Sequence, residues 1–519
     1  MTDSGSQEQL VKQLSLLLKN RFGSSVEVIE THISVILLVD KFAFKIKKPV
    51  DFGFLNFTSL EKRRFFCNEE LRLNRRLAPD YYIDVNCVTA STDHSTNDIE
   101  INGTGKVLEY MVKMQRFDQE GQLDVLLKQK RLKPHHIDEL ARVVTAFHAS
   151  IAVASRETLP DLANTIEHAV KQNFEQIAPY TSRFSEKFQS VFLSIKAWSE
   201  EKIQHFKPIF QHRLEQGFIR ECHGDMHTGN IAWHNQQLVI FDAIEFNPDF
   251  RWIDVMSEMA FITMDLEFNG RPDLSYRLMN RYLESTGDYH GLNLLRFYQV
   301  YRSMVRAKVN CLRLSQLDSQ DPQYQKTLNT VYQYLDSAYQ FTRTNETFII
   351  ITQGVSGSGK SFVSQQLLEQ FQMIRIRSDV ERKRLYPEKN GRYLPEATDR
   401  TYEYLHELAG NILAYGYPVV LDATYLKKSF RLNAKAVAVQ SNQKFFILSL
   451  THDKQVLEKR IKKRLDKPDN PSEATIEVMH RQLNSMDPFE DKELAYVVTV
   501  DNNETVVETF KDHLKLATK

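Results

Sequence analysis

The stretch Gly354-Val355-Ser356-Gly357-Ser358-Gly359-Lys360-Ser361 fits the pattern G-x-x-x-x-G-K-[ST] of a phosphate-binding loop. Residues 347–352 before it are short, apolar and β-branched, which predicts a buried strand, and residues 362–371 have the apolar spacing of a helix. A strand, a glycine-rich turn and a helix form the context in which this pattern binds a nucleotide. The alternative is a glycine-rich turn without a ligand. The stretch therefore predicts an α/β fold with a nucleotide site in this part of the chain.

Length and composition limit what the rest of the chain can be. A chain of 519 residues with 42% hydrophobic residues predicts several well-packed domains. Lys+Arg and Asp+Glu are equal at 67 each, so we expect neither nucleic acid nor a membrane as the main partner. The four cysteines are widely spaced and include no C-x-x-C pair, which favours reduced thiols and a cytoplasmic location. The N-terminus lacks the apolar core of a signal peptide, and the oligomeric state is left open.

The pattern along the chain predicts two regions ahead of the phosphate-binding loop. Residues 1–116 are rich in predicted strands and residues 118–341 in predicted helices, and we predict that they are the two lobes of one domain, residues 1–341. A polar linker at residues 342–346 separates this domain from residues 347–519. The predicted strands of the first region are residues 26–29, 34–39, 41–47 and 107–117. The main predicted helices are residues 10–18, 137–154, 190–207, 292–314 and 324–341.

The strand-rich region contains a candidate ion pair. Alternation in residues 42–47 places Lys45 and Lys47 on the same face of a strand as Ala43. The sequence Thr58-Ser59-Leu60-Glu61 is typical of a helix start, and Glu70 lies on the apolar stripe of that helix. A carboxylate on an inward face needs a cationic partner, so we predict that Lys45 pairs with Glu70. The alternative is an exposed glutamate and a solvated lysine.

The helical region contains the sequence His223-Gly224-Asp225-Met226-His227-Thr228-Gly229-Asn230. It fits the kinase catalytic-loop pattern H-x-D-x-x-x-x-N, and two short predicted strands that end at Asp242 follow it. In such a loop an aspartate accepts the proton of the attacking hydroxyl, while the asparagine and a second aspartate bind Mg²⁺. The alternatives are ordinary turn chemistry and a zinc site, although the spacing lacks H-E-x-x-H.

With these motifs, residues 30–262 resemble the aminoglycoside phosphotransferase family, a branch of the protein-kinase-like fold. The match includes H-G-D-M-H-x-x-N and the following Phe241-Asp242-Ala243-Ile244-Glu245-Phe246. The resemblance implies an ATP and Mg²⁺ site formed by the base Asp225, the metal ligands Asn230 and Asp242, and Lys45, which would pair with Glu70 and the α- and β-phosphates.

The same resemblance implies two further roles and shows one departure. Residues 113–116, with Met114, would form the hinge beside the adenine, and Asp254 would brace the catalytic loop, unless it is an ordinary charge at a helix N-terminus. No G-x-G-x-x-G precedes Lys45, and residues 31–34 stand where the phosphate cover is expected. The departure leaves ATP affinity open and keeps a degenerate pseudokinase as an alternative.

The region after the phosphate-binding loop alternates predicted strands and helices. Strands are predicted at residues 373–377, before Asp379, at residues 418–424, which include Asp422, and at residues 445–450. This alternation predicts a parallel sheet with its ligand at the carboxyl ends of the strands. Residues 457–464 form a helix with a basic face, which is either solvated or a lid that clamps phosphates.

The order of these elements resembles small P-loop kinases of the gluconate kinase, shikimate kinase and polynucleotide kinase type. The resemblance implies roles for Lys360 on the β- and γ-phosphates, Ser361 on Mg²⁺, Asp379 on the acceptor hydroxyl, Arg382 on the acceptor, and Arg460 and Arg464 in a lid. Asp422 either holds metal-bound water or is a turn residue at a strand end.

As a whole, the chain resembles bacterial proteins that fuse an aminoglycoside-phosphotransferase-like domain to a P-loop kinase domain. The resemblance implies a cytoplasmic, bifunctional Mg·ATP-dependent phosphotransferase of small-molecule hydroxyl groups. In one alternative, the first domain is a pseudokinase that senses a ligand and regulates the P-loop kinase. In the other, the P-loop domain acts on nucleic-acid ends, with Arg382, Lys383 and Arg384 on phosphate. Neither acceptor, nor a role in antibiotic resistance, follows from the sequence.

Overall fold

The computed structural model describes residues 4–53, 55–91, 99–388, 391–465, 474–500 and 505–516. The chain divides into two compact units. The first unit comprises Met1–Gln172 with Lys202–Asp265, and the second comprises Asn173–Glu201 with Leu266–Lys519.

The strands and helices are numbered here in chain order. The strands are β1 (Glu27–Glu30), β2 (Ser34–Val39), β3 (Phe42–Lys47), β4 (Tyr82–Ala90), β5 (Ile99–Ile101), β6 (Val107–Gln115), β7 (Ile219–Glu221), β8 (Ile231–His234), β9 (Gln237–Ile240), β10 (Trp252–Asp254), β11 (Phe348–Gln353), β12 (Ile374–Arg377), β13 (Val419–Asp422), β14 (Lys444–Leu450) and β15 (Val497–Val500). The helices are α1 (Ser4–Phe22), α2 (Leu60–Asn74), α3 (Leu123–Lys128), α4 (Pro134–Ser150), α5 (Leu162–Ile177), α6 (Glu186–Glu215), α7 (Val255–Phe268), α8 (Pro272–Thr286), α9 (Leu292–Leu314), α10 (Pro322–Thr342), α11 (Lys360–Phe371), α12 (Ser378–Leu385), α13 (Pro395–Ala414), α14 (Lys428–Gln440), α15 (Lys454–Leu465), α16 (Ile476–Asn484), α17 (Asp491–Leu494) and α18 (Val506–Leu516).

The first unit is built on a six-stranded antiparallel sheet with the strand order β1-β2-β3-β6-β4-β5. The alternation in β3 separates its two faces. Phe44 and Ile46 pack with Leu14 and Leu18 of α1 in one hydrophobic cluster, whereas Lys45 and the other odd-numbered residues face the opposite way. One face of β3 therefore packs in a hydrophobic core, and the other carries the charged side chains of Lys45 and Lys47.

Helix α2 brings a carboxylate to the charged face of this sheet. Its N-cap is Ser59, whose side chain accepts a hydrogen bond from the backbone N–H of Lys62. The helix packs on β4 and β6, and Cys67 joins a cluster with Tyr82 and Val112. Packing on these strands fixes the rotation of α2 so that Glu70 is completely buried.

The catalytic-loop sequence follows β7 and leads into the antiparallel pair β8–β9. This sheet, the ion pairs on its charged face and the catalytic loop with its short strand pair make the first unit α+β and protein-kinase-like, as the sequence predicted.

The second unit contains a five-stranded parallel sheet with the order β12-β13-β11-β14-β15. Strand β11 lies at its centre and all six of its residues are buried. The chain turns from β11 through the phosphate-binding loop into α11. This is the predicted α/β P-loop fold with a parallel sheet.

The linker predicted at residues 342–346 begins at the last residue of α10 and ends before β11. The domain limits remain a prediction, because the second compact unit also includes helices α8, α9 and α10, which lie ahead of that linker. Within the stretches that the structure describes, no helix has both the length and the apolar character needed to cross a membrane.

Candidate active sites

The first candidate site begins with Lys45 in β3. Its ammonium group lies 2.9 Å from Oε1 of Glu70 and 2.5 Å from Oδ1 of Asp242. Burial opposes the charge of Lys45, but Asp242 and Glu70 outweigh burial, and the pKa of the lysine is raised well above its usual value. The structure therefore brings together three residues that the sequence placed in one site, and Lys45 stays cationic.

A second lysine, Lys47, lies beside the first and has no role in the sequence analysis. Its ammonium group is 2.6 Å from Oε2 of Glu70 and also pairs with Glu245. Lys47 is 1% exposed and Glu70 fully buried. Burial opposes the ionisation of Glu70, but the two lysines hold its pKa at about 2. Glu70 is thus a shared carboxylate, with one oxygen for each lysine.

The catalytic loop places Asp225 beside Asn230. The side-chain amide of Asn230 donates to the backbone oxygen and to Oδ2 of Asp225, both at 3.0 Å. His227 lies near the same carboxylate, with Nε2 3.5 Å from Oδ2. Because Nδ1 of His227 accepts from the backbone N–H of Gly229, the proton of the neutral ring lies on Nε2 and faces Asp225.

His223 connects this loop to the strand end that carries Asp242. Its Nε2 donates to the carbonyl of Phe241 at 3.0 Å, and its Nδ1 accepts from the backbone N–H of Asp225 at 3.3 Å. Burial lowers the pKa of His223, which favours the neutral ring, and the two hydrogen bonds select this tautomer. The ring therefore links the backbone of Asp225 to that of the residue before Asp242.

The bracing of the catalytic loop differs from the sequence prediction. Both oxygens of Asp254 pair with the buried Arg213, at 2.6 and 2.8 Å. One of them also accepts from the backbone N–H of Met256 at 2.8 Å, in the first turn of α7, which fits the alternative of a charge at a helix N-terminus. Other carboxylates brace the loop: Glu258 accepts from the backbone N–H of Gly224 at 2.7 Å, and Asp265 accepts from the backbone N–H and hydroxyl of Thr228. Arg213 thus binds the carboxylate of Asp254, to which the resemblance gave the role of bracing the loop around Asp225.

A cavity of about 250 Å³ opens onto the two charged residues of this site. Lys45 and Asp242 line it together with apolar residues, among them Met114 and Phe117. Asp242 adopts a left-handed backbone with φ of 65°, which is rare outside glycine and costs energy at a position held by its surroundings. The backbone N–H of Asp242 donates to the hydroxyl of Tyr82 at 3.2 Å, one of the contacts that hold it.

This site fits a nucleotide with a bound magnesium ion. A lysine held between two carboxylates suits phosphate oxygens, and Asp242 with the amide of Asn230 offers the hard oxygen ligands that Mg²⁺ prefers. The apolar part of the cavity around Met114 suits an aromatic base.

The second candidate site is the phosphate-binding loop of the second unit. Its glycines adopt backbone angles that other residues avoid, with φ of 87° at Gly357 and 97° at Gly359. A Cβ at Gly357 would lie 3.1 Å from the carbonyl oxygen of Leu457 and from Ile461. The ammonium group of Lys360 donates to the carbonyl of Val355 at 2.8 Å. The loop is therefore a tight backbone cradle with its lysine folded across it, which fits phosphate groups.

A cavity of about 350 Å³ gathers the predicted residues of this site. Its lining includes Lys360, Ser361, Asp379, Asp422 and Arg460. Asp422 is 5% exposed and accepts from the hydroxyl of Ser364 at 3.2 Å, so it faces the start of α11 from the end of β13. The structure thus brings these five side chains to one cavity at the carboxyl ends of parallel strands.

The lid is only partly described. Arg460 of α15 donates to the carbonyl of Ser358 at 3.3 Å, so it lies over the phosphate-binding loop. The side chain of Arg464 and the loop at residues 466–472 lie outside the described residues.

Two of the arginines of α12 differ from what the sequence implied. Arg382 is 7% exposed and donates to the hydroxyl of Thr398 at 3.1 Å, with its guanidinium over the ring of Tyr393. Arg384 pairs with Glu381 at 2.9 Å. Both guanidinium groups therefore contact residues of their own unit. These contacts do not favour Arg382 as a ligand of the acceptor, nor the two arginines as ligands of nucleic-acid phosphate.

Comparison with known proteins gives results for both parts of the chain. Residues 349–489 match the family described as AAA domain. An uncharacterized protein of Mycobacterium tuberculosis is 26% identical over 464 residues, which is 87% of this chain and 88% of the relative. An uncharacterized protein of Mycobacterium bovis matches to the same extent.

Solved structures that resemble the chain match different parts of it. An ethanolamine kinase of Plasmodium vivax covers 62% of this chain and 84% of its own, with 11% identity and a TM-score of 0.37. A gluconokinase from Sinorhizobium meliloti covers 32% of this chain and 90% of its own, with 24% identity and a TM-score of 0.25.

Proposed function

We propose that the chain is a bifunctional Mg·ATP-dependent phosphotransferase that phosphorylates hydroxyl groups of small molecules at two separate sites. Support comes from each unit. In the first, Lys45 and Asp242 line one cavity, and Asp225 lies beside Asn230 on a loop that His223 links to the backbone just before Asp242. In the second, a lysine, a serine hydroxyl and two aspartates line one cavity: Lys360, Ser361, Asp379 and Asp422. Phosphoryl transfer depends mainly on such positioning and on charge neutralisation. A chain with four free cysteine thiols also suits the cytoplasm.

At the first site, Asp225 would accept the proton of the acceptor hydroxyl. Asn230 and Asp242 would hold Mg²⁺, and Lys45, fixed by Glu70, would bind the α- and β-phosphates. The proton that His227 directs at Asp225 would stabilise the charged carboxylate before transfer. Bound Mg²⁺ would neutralise the charge of the phosphate oxygens.

At the second site, the backbone of residues 354–361 would cradle the phosphates. Lys360 would neutralise the transferred phosphate, and Ser361 with Asp422 would hold Mg²⁺ and its water. Asp379 would accept the acceptor proton. Arg460 already contacts the loop and would follow the phosphates during transfer.

The test is a screen of small-molecule alcohols for phosphate transfer from labelled ATP, using wild-type protein beside Asp225→Ala and Lys360→Ala. We expect two sets of products, each lost in one variant and kept in the other. If neither variant changes ATP binding or turnover, the proposal is wrong.

Two other outcomes would identify the alternatives. If Asp225→Ala changes no transfer reaction but alters how a small molecule affects the second site, the first unit is a regulatory pseudokinase. If only oligonucleotides accept phosphate, and bind more weakly as salt increases, the second unit is a nucleic-acid kinase.

A further inference from the structure

Helix α8 lies ahead of the predicted linker and outside the matched residues 349–489, yet it carries an acidic residue into the parallel-sheet fold. Glu284 is 9% exposed and meets two arginines of β12. Its Oε1 lies 2.9 Å from Nε and 2.7 Å from Nη2 of Arg375. Its Oε2 lies 3.4 Å from Nη1 of Arg377. One carboxylate therefore holds both cationic side chains of this strand.

Both arginines lead to the same residue of the nucleotide site. Arg377 places its Nε 3.6 Å from Oδ2 of Asp422. Arg375 donates to the hydroxyl of Ser364 at 3.3 Å, and that hydroxyl donates to Oδ2 of Asp422 at 3.2 Å. The five side chains close a ring in which Glu284 and Asp422 stand at opposite ends, joined by two cationic routes.

The members of this ring are largely shielded from water. Arg375 is 2% exposed and Ser364 is fully buried, so water cannot replace a lost partner. A buried guanidinium without its carboxylate is costly and would turn to the next anion within reach. Here that anion is Asp422, at the edge of the cavity that also contains Lys360.

We infer that Glu284 is a positioning residue of the second phosphotransferase site: by binding Arg375 and Arg377, it limits how far the two guanidinium groups neutralise Asp422, so that this carboxylate can bind hydrated Mg²⁺. The inference rests on the function proposed for that site. It makes α8 a component of the P-loop enzyme, so the nucleotide site is completed by chain that precedes the linker. Asn280 on the same helix strengthens the attachment, because its side chain accepts from the backbone N–H of Arg375 at 2.6 Å.

The test uses the full chain with the first site silenced by Lys45→Met, and measures binding of a fluorescent ATP analogue as Mg²⁺ is titrated. Glu284→Gln is expected to raise the Mg²⁺ concentration for half-maximal binding at least tenfold and to leave Mg²⁺-free binding to the phosphate-binding loop unchanged. Glu284→Asp should restore part of the effect. Combining Glu284→Gln with Asp422→Asn should add little to Asp422→Asn alone.

Glu369→Gln is the matched control. Glu369 of α11 pairs with Arg277 of α8 at 2.7 Å. Its loss removes a link between α8 and α11 but no member of the ring, so the Mg²⁺ dependence of ATP binding should not change. If Glu284→Gln does not fold, Arg377→Gln decides the question: it removes the guanidinium that lies 3.6 Å from Asp422 and should therefore lower the Mg²⁺ concentration for half-maximal binding.

An unchanged Mg²⁺ dependence in the folded Glu284→Gln variant, or in Arg377→Gln where the first does not fold, overturns the inference alone. Absence of any Mg²⁺-dependent ATP binding in the Lys45→Met parent overturns the proposed function of the second site and the inference with it.

Discussion

The two candidate sites differ in the groups that form them. The second site is formed by consecutive backbone groups, and its glycines make that backbone possible. The first site is formed by side chains from distant parts of the chain: Lys45 lies 197 residues from its partner Asp242. A backbone cradle depends on local conformation, whereas a side-chain cluster depends on the whole fold that assembles it. The two should therefore fail in different ways when single residues are changed.

The largest expected effect is at Lys47, in the side-chain site. Lys47→Met leaves Glu70 and Glu245 short of a cation in a buried position, and breaking such a pair costs roughly 3–5 kcal/mol. We expect the first unit to lose about this much free energy of unfolding in chemical denaturation, and to bind ATP less well.

Lys48→Met is the control for this change. Lys48 is the next residue and is partly exposed. Its ion pair with the exposed Glu30 is a long one, at 3.5 Å, so its loss should cost little stability. Lys47→Met combined with Glu245→Gln should recover part of the stability, because it removes both charges. Equal effects of Lys47→Met and Lys48→Met would show that the cluster does not hold the site together.

The two units should also differ in their response to pH. Glu267 in the second unit is partly buried and accepts from the side chains of Ser275 and Gln299, and its loss of contact with water raises its pKa to about 7. The folded state therefore binds this proton more tightly than the unfolded state. The stabilisation is complete below the ordinary pKa of about 4.5 and is lost as the pH rises through 7. Glu70 in the first unit, with a pKa of about 2, stays charged over this range.

Glu267→Gln should remove this dependence. We expect the variant to be more stable than wild type by about 2–3 kcal/mol at pH 8 and about equal at pH 4.5, as measured by the melting temperature of the second unit. Glu139→Gln is the control, since Arg142 lowers the pKa of Glu139 and this group does not titrate near pH 7. Parallel pH profiles of wild type and Glu267→Gln would refute the assignment.

A smaller effect is expected in the backbone cradle. Gly357→Ala places a side chain at φ of 87° and in contact with Leu457 and Ile461, which costs roughly 1–2 kcal/mol. Because this strain falls on the phosphate-binding loop, it should appear as about a tenfold loss of ATP affinity at the second site.

Gly391→Ala provides the comparison. Gly391 has φ of 84° and open surroundings, with its nearest atom on Leu394 at 3.6 Å, so it should show the strain without the loss of affinity. A normal ATP affinity in Gly357→Ala would mean that the loop does not bind phosphate through this backbone.

The smallest expected effect is at the cap of α2. Ser59→Ala removes the hydrogen bond to the backbone N–H of Lys62 and should cost about 1 kcal/mol. Since the helix is held by its packing on β4 and β6, Glu70 should stay in place and ATP binding at the first site should hardly change. A large loss of ATP binding would show that the cap, and not the ion cluster, positions Glu70.

The contrast between the sites also explains what the sequence could predict. The second site was recognisable because its pattern is contiguous and has one conformation. Lys45 and Glu70 were recognisable because each lies on an inward face of a regular element. Lys47 lies on the same strand face, but its partner Glu245 is 198 residues away, and no local pattern connects them.

Other features depend on the assembled fold. Strand β4 lies between β5 and β6 in the sheet, but its sequence includes the polar residues Asp84 and Asn86, so neither an apolar run nor a simple alternation indicates it. Asp254 has the expected position at the start of a helix, yet Arg213 from a distant helix takes its carboxylate. Glu284 and Arg375 are 91 residues apart. These pairings follow from tertiary packing, which spacing does not encode.

The central claim is that the chain binds two nucleotides at two independent sites. Isothermal titration of the full chain with a non-hydrolysable ATP analogue and Mg²⁺ tests it most directly. We predict two bound nucleotides for wild type and one each for Lys45→Met and Lys360→Ala. A single bound nucleotide in wild type, lost in only one of the two variants, would contradict the account.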